Sequence, residues 1–145
     1  MKTHFKTLDI ETGDGISIHN ITAQVREAVA ESGVVDGIVA VTSQHTTTAL
    51  TINEDEERLR ADIRTYLERL VPADEAYLHN DIHLRDCDPD EPENAHSHLM
   101  AILLGSSESI AVSQGALVLG KWQSIMMLEL DGVRRRRVSV QGGGG

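Results

Sequence analysis

The sequence predicts a single compact α+β domain, a largely antiparallel sheet or sandwich that carries two to three helices. The chain has 145 residues, a length that corresponds to one domain. Strands and helices are predicted in its first two thirds, and the last third is rich in β-branched segments joined by tight turns. That order is typical of the α+β class. We expect one domain over residues 1–141 and a flexible glycine tail over residues 142–145.

The first elements are two strands and a helix. Residues 3–10 alternate weakly between apolar and polar side chains, and residues 16–19 can pair back across the glycine-containing turn 12–15. Over residues 22–32, the apolar positions Val25, Ala28 and Val29 follow helical spacing, and Gly33 supplies the end of the helix.

The middle of the chain predicts two buried strands and a second helix. Residues 37–43 and 46–52 are apolar and rich in β-branched side chains, as central strands are. From about residue 55 to residue 70, an apolar stripe recurs at helical spacing; its members are Leu59, Ile63, Tyr66, Leu67 and Leu70. Residues 73–93 are polar and acidic, and residues 81–93 within them have no predicted role. Loops of this length are uncommon in compact domains and are often functional or disordered.

A third helix and four strands complete the prediction. Asn94 is placed to cap a helix that runs to about Leu104. Strands are predicted over 109–112, 116–119, 122–130 and 134–140, and Asp131-Gly132 is a strong hairpin signal. We assign Gly115 and Gly120 to turns and Trp122 to packing in the core.

Composition excludes several function classes. The net charge is −10 with histidines neutral, and aromatic residues make up only 3%, so neither nucleic acid nor an anionic membrane is an expected partner. No stretch approaches the ~18 apolar residues of a membrane span. Cys87 is the only cysteine, and the N-terminus lacks the features of a signal peptide. We therefore expect a cytoplasmic protein.

Histidines are the first candidate functional residues. The chain has seven, and five of them, His45, His79, His83, His96 and His98, lie in its middle. Neutral imidazole suits Zn, Ni, Co or Fe, and three converging rings can form a metal site. For any single one of them, a surface or capping position is the simpler interpretation, because no HExxH or paired CxxC motif is present.

Two charged clusters complete the candidate set. Asp55 to Glu57 suit the positive end of a helix dipole, and the same explanation makes Asn53 a cap; Glu54 adjoins the strand end near His45. Residues 134–137 are four consecutive arginines, and alternate side chains of a strand face opposite sides. One pair can therefore bind a phosphate, or the run can pair with acids on a neighbouring strand or subunit.

Several stretches together resemble the YjbQ family, also described as secondary thiamine-phosphate synthases. They include Gln44-His45-Thr46-Thr47-Thr48-Ala49-Leu50-Thr51-Ile52-Asn53-Glu54, His79-Asn80-Asp81, Ala95 to Leu99, Gly115 to Ile125, and Glu129 to Gly132 with Arg134 and Arg136. The resemblance spans nearly the whole chain in the same order. One departure is Val133, where the family commonly has proline; this removes a fixed φ from the last hairpin.

The resemblance implies a homotrimer with a polar pocket lined by His45, His79 and His98, which would bind a divalent metal (Zn, or Mg, Mn or Ni in its place). In the hypothesis that follows, His45, Asn53 and Glu54 are catalytic, and Arg134 and Arg136 bind the phosphate of a small phosphorylated molecule. The implied reaction joins a pyrimidine diphosphate to a thiazole phosphate and expels pyrophosphate. The alternatives are a non-enzymatic metal- or ligand-binding trimer and a metal-dependent phosphate-ester hydrolase.

Overall fold

The computed structural model describes residues 1–145 and contains two antiparallel sheets and three helices. The strands are β1 (Lys2–Glu11), β2 (Gly15–Asn20), β3 (Gly37–Ser43), β4 (Thr48–Asn53), β5 (Ser107–Ser113), β6 (Ala116–Leu117), β7 (Ser124–Gly132) and β8 (Arg135–Gly144). The helices are α1 (Thr22–Ser32), α2 (Glu57–Leu70) and α3 (Ala95–Leu104), and two 3₁₀ turns lie at Leu78–Asn80 and Ile82–Leu84. The predicted fold class is confirmed.

The two sheets differ in strand order and in the helices that pack against them. The five-stranded sheet has the order β1-β8-β3-β5-β6, and the three-stranded sheet has the order β2-β7-β4. The larger apolar core lies between the sheets and α1; a smaller core packs Leu67 of α2 and Met100 of α3 against the three-stranded sheet. Strand β7 is central and covered on both faces, so Ile125 to Leu130 are all buried. This burial explains its nearly continuous apolar sequence.

Local signals determine where the helices begin and end. Gly33 ends α1 in the left-handed conformation with φ 69°, which glycine adopts without steric cost. Helix α2 is capped by Glu56, whose side chain accepts the backbone N–H groups of Arg58 and Leu59. The interpretation of Asn53 as the cap is therefore wrong: Asn53 lies four residues before the helix, and its Oδ1 accepts the Glu54 N–H at 2.7 Å.

The C-terminal glycines belong to the fold, so the prediction of a flexible tail at 142–145 is wrong. Gly142–Gly144 pair with both β1 and β3. The Gly145 oxygen accepts the N–H groups of Val35 and Asp36, and the Gly145 N–H donates to the Asp36 oxygen. A Cβ atom on Gly37 would lie 2.1 Å from the Gly143 carbonyl oxygen, and one on Gly144 would lie 2.2 Å from that of Asp36. The glycines are needed because backbones approach here more closely than side chains permit.

Trp122 is exposed, so the prediction that it packs in the core is wrong. It lies outside β7 in the turn that precedes the strand, is 66% exposed, and has the Lys121 Nζ 5.0 Å from its ring centroid. The assignment of Gly115 to a turn holds, with φ 77°. None of the three helices is long and apolar enough to cross a membrane.

Candidate functional site

A polar cavity of about 300 Å³ lies where three connections meet: the segment between β3 and β4, the loop before α3, and the β7–β8 hairpin. Apart from Pro92, all the residues that line it are polar or charged. Its lining residues are Thr46, Thr47, His79, Arg85, Glu91, Pro92, Asn94, His98, Asp131, Arg134 and Arg136. Four of the predicted site residues, His79, His98, Arg134 and Arg136, therefore lie around one space.

A buried ion pair forms part of the cavity wall. The Arg136 guanidinium donates from Nε to Glu129 Oε1 at 2.7 Å and from Nη2 to Oε2 at 2.6 Å. Nη2 also donates to Thr47 Oγ1 at 2.8 Å, and Thr12 Oγ1 donates to Glu129 Oε1 at 2.7 Å. Burial alone would raise the pKa of Glu129, but hydrogen bonds from Arg136, Thr12 and the Asp131 N–H outweigh it and hold this pKa below its usual value.

Arg134 is held in a second, more exposed pair. Its Nη2 donates to Asp131 Oδ2 at 3.1 Å, and Asn94 Nδ2 donates to the same oxygen at 2.8 Å. The neighbouring Arg135 and Arg137 project from the opposite side of β8 and pair with Glu11 and Asp9 of β1. The arginine run thus contains one pair that lines the cavity and one pair that binds acids on the adjacent strand.

His79 and His98 lie side by side in the cavity. Their ring centroids are 4.8 Å apart and their planes are nearly perpendicular. Helix α3 supplies His98, and the first 3₁₀ turn supplies His79. The pKa of His98 is lowered, first by partial burial and then by the nearby His79 and Arg85, while Asp131 acts in the opposite direction. His98 is therefore a neutral base near pH 7.

His45 lines an adjoining cavity of about 420 Å³, which shares Thr46 and His98 with the first. Its Nε2 accepts the backbone N–H of Arg137 at 2.8 Å. Partial burial and the positive charges of Arg136 and Arg137 lower the pKa of His45, although Glu129 acts in the opposite direction. An imidazole whose Nε2 accepts this bond carries its proton on Nδ1. That Nδ1–H is the group of His45 that remains to donate to another partner.

Asn53 and Glu54 are not part of this arrangement. They lie at the far end of β4 from the His45 segment, five residues after Thr48, a separation of roughly 17 Å along a strand. Asn53 lines an apolar groove of about 690 Å³ between α2 and α3. Within one chain, the structure does not bring these two predicted catalytic residues to the histidines.

Comparison with known proteins places the chain in a family. The family model described as "UPF0047 protein YjbQ-like" matches residues 6–144. The chain belongs to the YjbQ family. A UPF0047 protein of Methanothermobacter thermautotrophicus is 41% identical over 97% of this chain and 92% of its own length, and one of Archaeoglobus fulgidus is 42% identical over 92% and 97%.

Solved YjbQ structures share the fold. A YbjQ-like protein of unknown function from Sulfolobus solfataricus has a TM-score of 0.90 at 34% identity, with 99% of both chains covered. An uncharacterized protein of the YjbQ/UPF0047 family from Clostridium acetobutylicum has a TM-score of 0.85 at 35% identity, with 95% of this chain and 99% of that chain covered.

The metal that resemblance to the YjbQ family implies does not fit one chain as it stands. No group of three or more His, Cys, Asp or Glu side chains is arranged to hold a metal ion. His79 and His98 are adjacent, but the Nε2 of His45 is occupied by a backbone N–H. A closed zinc site needs four ligands, and a catalytic one needs three from the protein. The proposed chemistry is therefore assigned to the side chains of the protein.

Two residues of the site were missed by sequence reasoning. Glu129 stands within the apolar run of β7, and a charge that is fully buried requires a partner, which is the signal that could have identified it. Arg85 is the only arginine or lysine in the acidic segment 73–93. That isolation was its signal, but the sequence alone does not show that the loop folds back over the cavity.

Proposed function

We propose that the polar cavity binds a small phosphorylated molecule and that the protein acts as a thiamine-phosphate synthase-like transferase. The observation that supports this most is the lining of the cavity: three guanidinium groups and two imidazoles share it with two carboxylates, and Pro92 is its one apolar member. Guanidinium groups form short, charge-assisted hydrogen bonds with phosphate oxygens. With the histidines neutral, the three arginines outnumber the two acids of the lining, Glu91 and Asp131. In a chain with a net charge of −10, this local excess of positive charge favours an anionic ligand.

The proposed reaction needs positive charge beside the leaving pyrophosphate group. The thiazole ring nitrogen forms a bond to the methylene carbon of the pyrimidine, and the bond from that carbon to the diphosphate oxygen breaks. The electron pair leaves with pyrophosphate, so negative charge increases on the leaving group. Preorganised donors aimed at that charge lower the barrier. Arg136 has five N–H donors, and its Nη1 makes no hydrogen bond within the chain, which leaves this nitrogen for the ligand.

The neutral histidines support positioning and proton transfer. The lowered pKa values of His45 and His98 keep both rings uncharged near pH 7. The neutral ring of His98 can accept a hydrogen bond from a substrate amine or hydroxyl, or a proton from it. His45 can only donate, because its Nε2 already accepts the Arg137 N–H. We assign His45 to substrate positioning through its Nδ1–H, and His79 and His98 to the phosphate end of the cavity.

The proposal also includes a homotrimer in the cytoplasm. Exposed apolar side chains lie on two surfaces: Phe5 and Ile38 on the outer face of the five-stranded sheet, and Ile102 and Leu103 on α3. Large exposed apolar surface is typical of interaction sites, and closed symmetry is the usual form of self-association. Sedimentation equilibrium tests this part: we expect three chains of 15.9 kDa, and a monomer at micromolar concentration would contradict it.

An assay with the two precursors tests the reaction. Purified protein is incubated with the pyrimidine diphosphate and the thiazole phosphate, and thiamine phosphate and pyrophosphate are measured together. We expect equal amounts of both products and a loss of turnover in His98→Ala. The control is His83→Ala, because His83 is exposed and lies outside the polar cavity.

Other outcomes assign the protein to the alternative classes. Release of phosphate or pyrophosphate without thiamine phosphate would show a hydrolase. Saturable binding of either substrate without any product would show a ligand-binding protein. Elemental analysis of the same preparation tests the divalent metal, which stays a prediction of the family resemblance.

A further inference from the structure

Three arginines line the polar cavity, but only one of them is unpaired. Arg136 is bound by Glu129, and Arg134 is bound by Asp131. Arg85 forms no ion pair. Its single side-chain hydrogen bond runs from Nη1 to the backbone oxygen of His79 at 2.9 Å.

The loop that carries Arg85 is ordered by its own hydrogen bonds. The Arg85 N–H donates to the Ile82 oxygen at 3.1 Å, which closes the second 3₁₀ turn. Asn80 Oδ1 accepts the N–H of Ala95 at 3.1 Å and so ties the loop to the start of α3. The bond to the His79 oxygen then orients the guanidinium beside the histidine pair. Arg85 is half-buried, so part of its side chain is already desolvated before a ligand enters.

An unpaired arginine differs from a paired one in what it can offer a ligand. An anion that approaches Arg134 or Arg136 meets a guanidinium whose charge is offset by a carboxylate within 3.1 Å. Separating the Arg136–Glu129 pair would leave a buried carboxylate uncompensated, which is strongly unfavourable. Arg85 is held by no carboxylate, although those of Glu91 and Asp131 line the same cavity. Its Nε and Nη2 donors make no hydrogen bond within the chain and remain available.

We propose that Arg85 is the main anchor of the phosphate or diphosphate group in the polar cavity. Arg134 and Arg136 mainly organise the cavity walls, and the free Nη1 of Arg136 adds a secondary contact. This inference deepens the proposed function and rests on it, because it assigns the ligand contact within the same site. It also gives the acidic segment 73–93 a role: the segment carries the cation that the cavity needs.

Titration with inorganic pyrophosphate at constant ionic strength tests the assignment. Calorimetry is performed on the wild-type full-length chain, Arg85→Gln, Arg85→Lys and the control Arg69→Gln. Glutamine keeps a polar N–H donor on a shorter side chain but removes the charge, whereas lysine keeps the charge. Arg69 is an exposed arginine of α2 that lies in no ion pair and outside the cavity. Its variant therefore measures the effect of net charge alone.

We expect Arg85→Gln to weaken pyrophosphate binding roughly 10- to 100-fold, the value of a charge-assisted hydrogen bond or two. Arg85→Lys should lie between it and the wild type, and Arg69→Gln should bind like the wild type. Equal affinity in Arg85→Gln and the wild type would overturn the Arg85 assignment and leave the site intact. Equal losses in Arg85→Gln and Arg69→Gln would indicate a diffuse field and overturn it too.

Two further measurements separate the remaining cases. If the wild type shows no saturable pyrophosphate binding, the proposed function fails together with this inference. Guanidinium NMR signals of the wild-type protein provide a readout that does not depend on a folded Arg85→Gln variant. Pyrophosphate should shift the Arg85 signal, identified by its absence in Arg85→Lys, and a shift of other arginines with Arg85 unmoved would overturn the proposal.

Discussion

Replacing Arg136 with alanine should destabilise the fold far more than replacing any other arginine of the run 134–137. Glu129 is fully buried, and Arg136 supplies two of the hydrogen bonds that its carboxylate accepts. In Arg136→Ala, that carboxylate would keep its charge without a cation beside it. Removing one partner of a buried ion pair costs about 3–5 kcal/mol of unfolding free energy.

The same substitution at Arg134 has a much smaller expected effect. The Arg134 side chain is 43% exposed, and pairs at such positions contribute about 0–1 kcal/mol. For a domain of this size, 1 kcal/mol corresponds to roughly 2–4 °C in Tm. We therefore expect Arg136→Ala to lower Tm by roughly 6–20 °C and Arg134→Ala to lower it by less than about 4 °C.

Chemical denaturation at several pH values tests the cause of the loss. In the wild type, the pKa of Glu129 is lowered, so its contribution is present above the unfolded value of ~4.3 and is lost as pH falls below it. In Arg136→Ala, burial is opposed by fewer hydrogen bonds, and the pKa of Glu129 should rise. The difference in unfolding free energy between the wild type and Arg136→Ala should then become smaller as the pH falls. The double variant Glu129→Leu/Arg136→Met should recover most of the stability. A small loss of stability in Arg136→Ala, or a loss that does not depend on pH, would show that the Glu129 carboxylate does not depend on Arg136 as its partner.

Three further predictions concern stability. The pKa of His45 is lowered in the fold, so on acidification the unfolded chain binds a proton at this residue before the folded chain does. Its contribution to the free energy of unfolding is therefore present above pH ~6.5 and is lost as the pH falls below that value. In denaturation curves between pH 7.5 and 5.5, His45→Gln should reduce the slope of stability against pH, and an unchanged slope would contradict this. Deletion of residues 142–145 should lower the free energy of unfolding by roughly 2–4 kcal/mol, because it removes several backbone hydrogen bonds to β1 and β3. An unchanged Tm would mean that these residues form a flexible tail. Gly37→Ala should lower Tm by several degrees because its Cβ would meet the Gly143 carbonyl, whereas Gly145→Ala has open space and should not.

Local sequence signals predicted the elements well where the chain itself determines them. Helix α1 begins and ends where its apolar spacing and Gly33 predict, and β3 has the predicted bounds. The error at the C-terminus involves contacts between distant segments. The C-terminal glycines are flexible by composition, but in the fold they lie between β1 and β3. Trp122 is typical of a core residue by type, but its turn places it in solvent.

Several residues of the candidate site could be predicted from the sequence, but the contacts between them could not. Strand alternation correctly separates Arg136 from Arg135 and Arg137, but it contains no information about Glu129 as the partner of Arg136. The contact between His45 and the Arg137 backbone joins residues 92 positions apart, and no local pattern records it. Asn53 and Glu54 were grouped with His45 because they are near in sequence, but an extended strand separates them.

Histidine NMR during a pyrophosphate titration tests most directly whether the polar cavity binds a phosphorylated ligand. The ring signals of His79 and His98 should shift together and saturably, and the exposed His83 should not move. Saturation should give one dissociation constant for both rings. If no ring signal shifts, or if the signals of all seven histidines shift linearly with the pyrophosphate concentration, the cavity is not a specific site for this ligand.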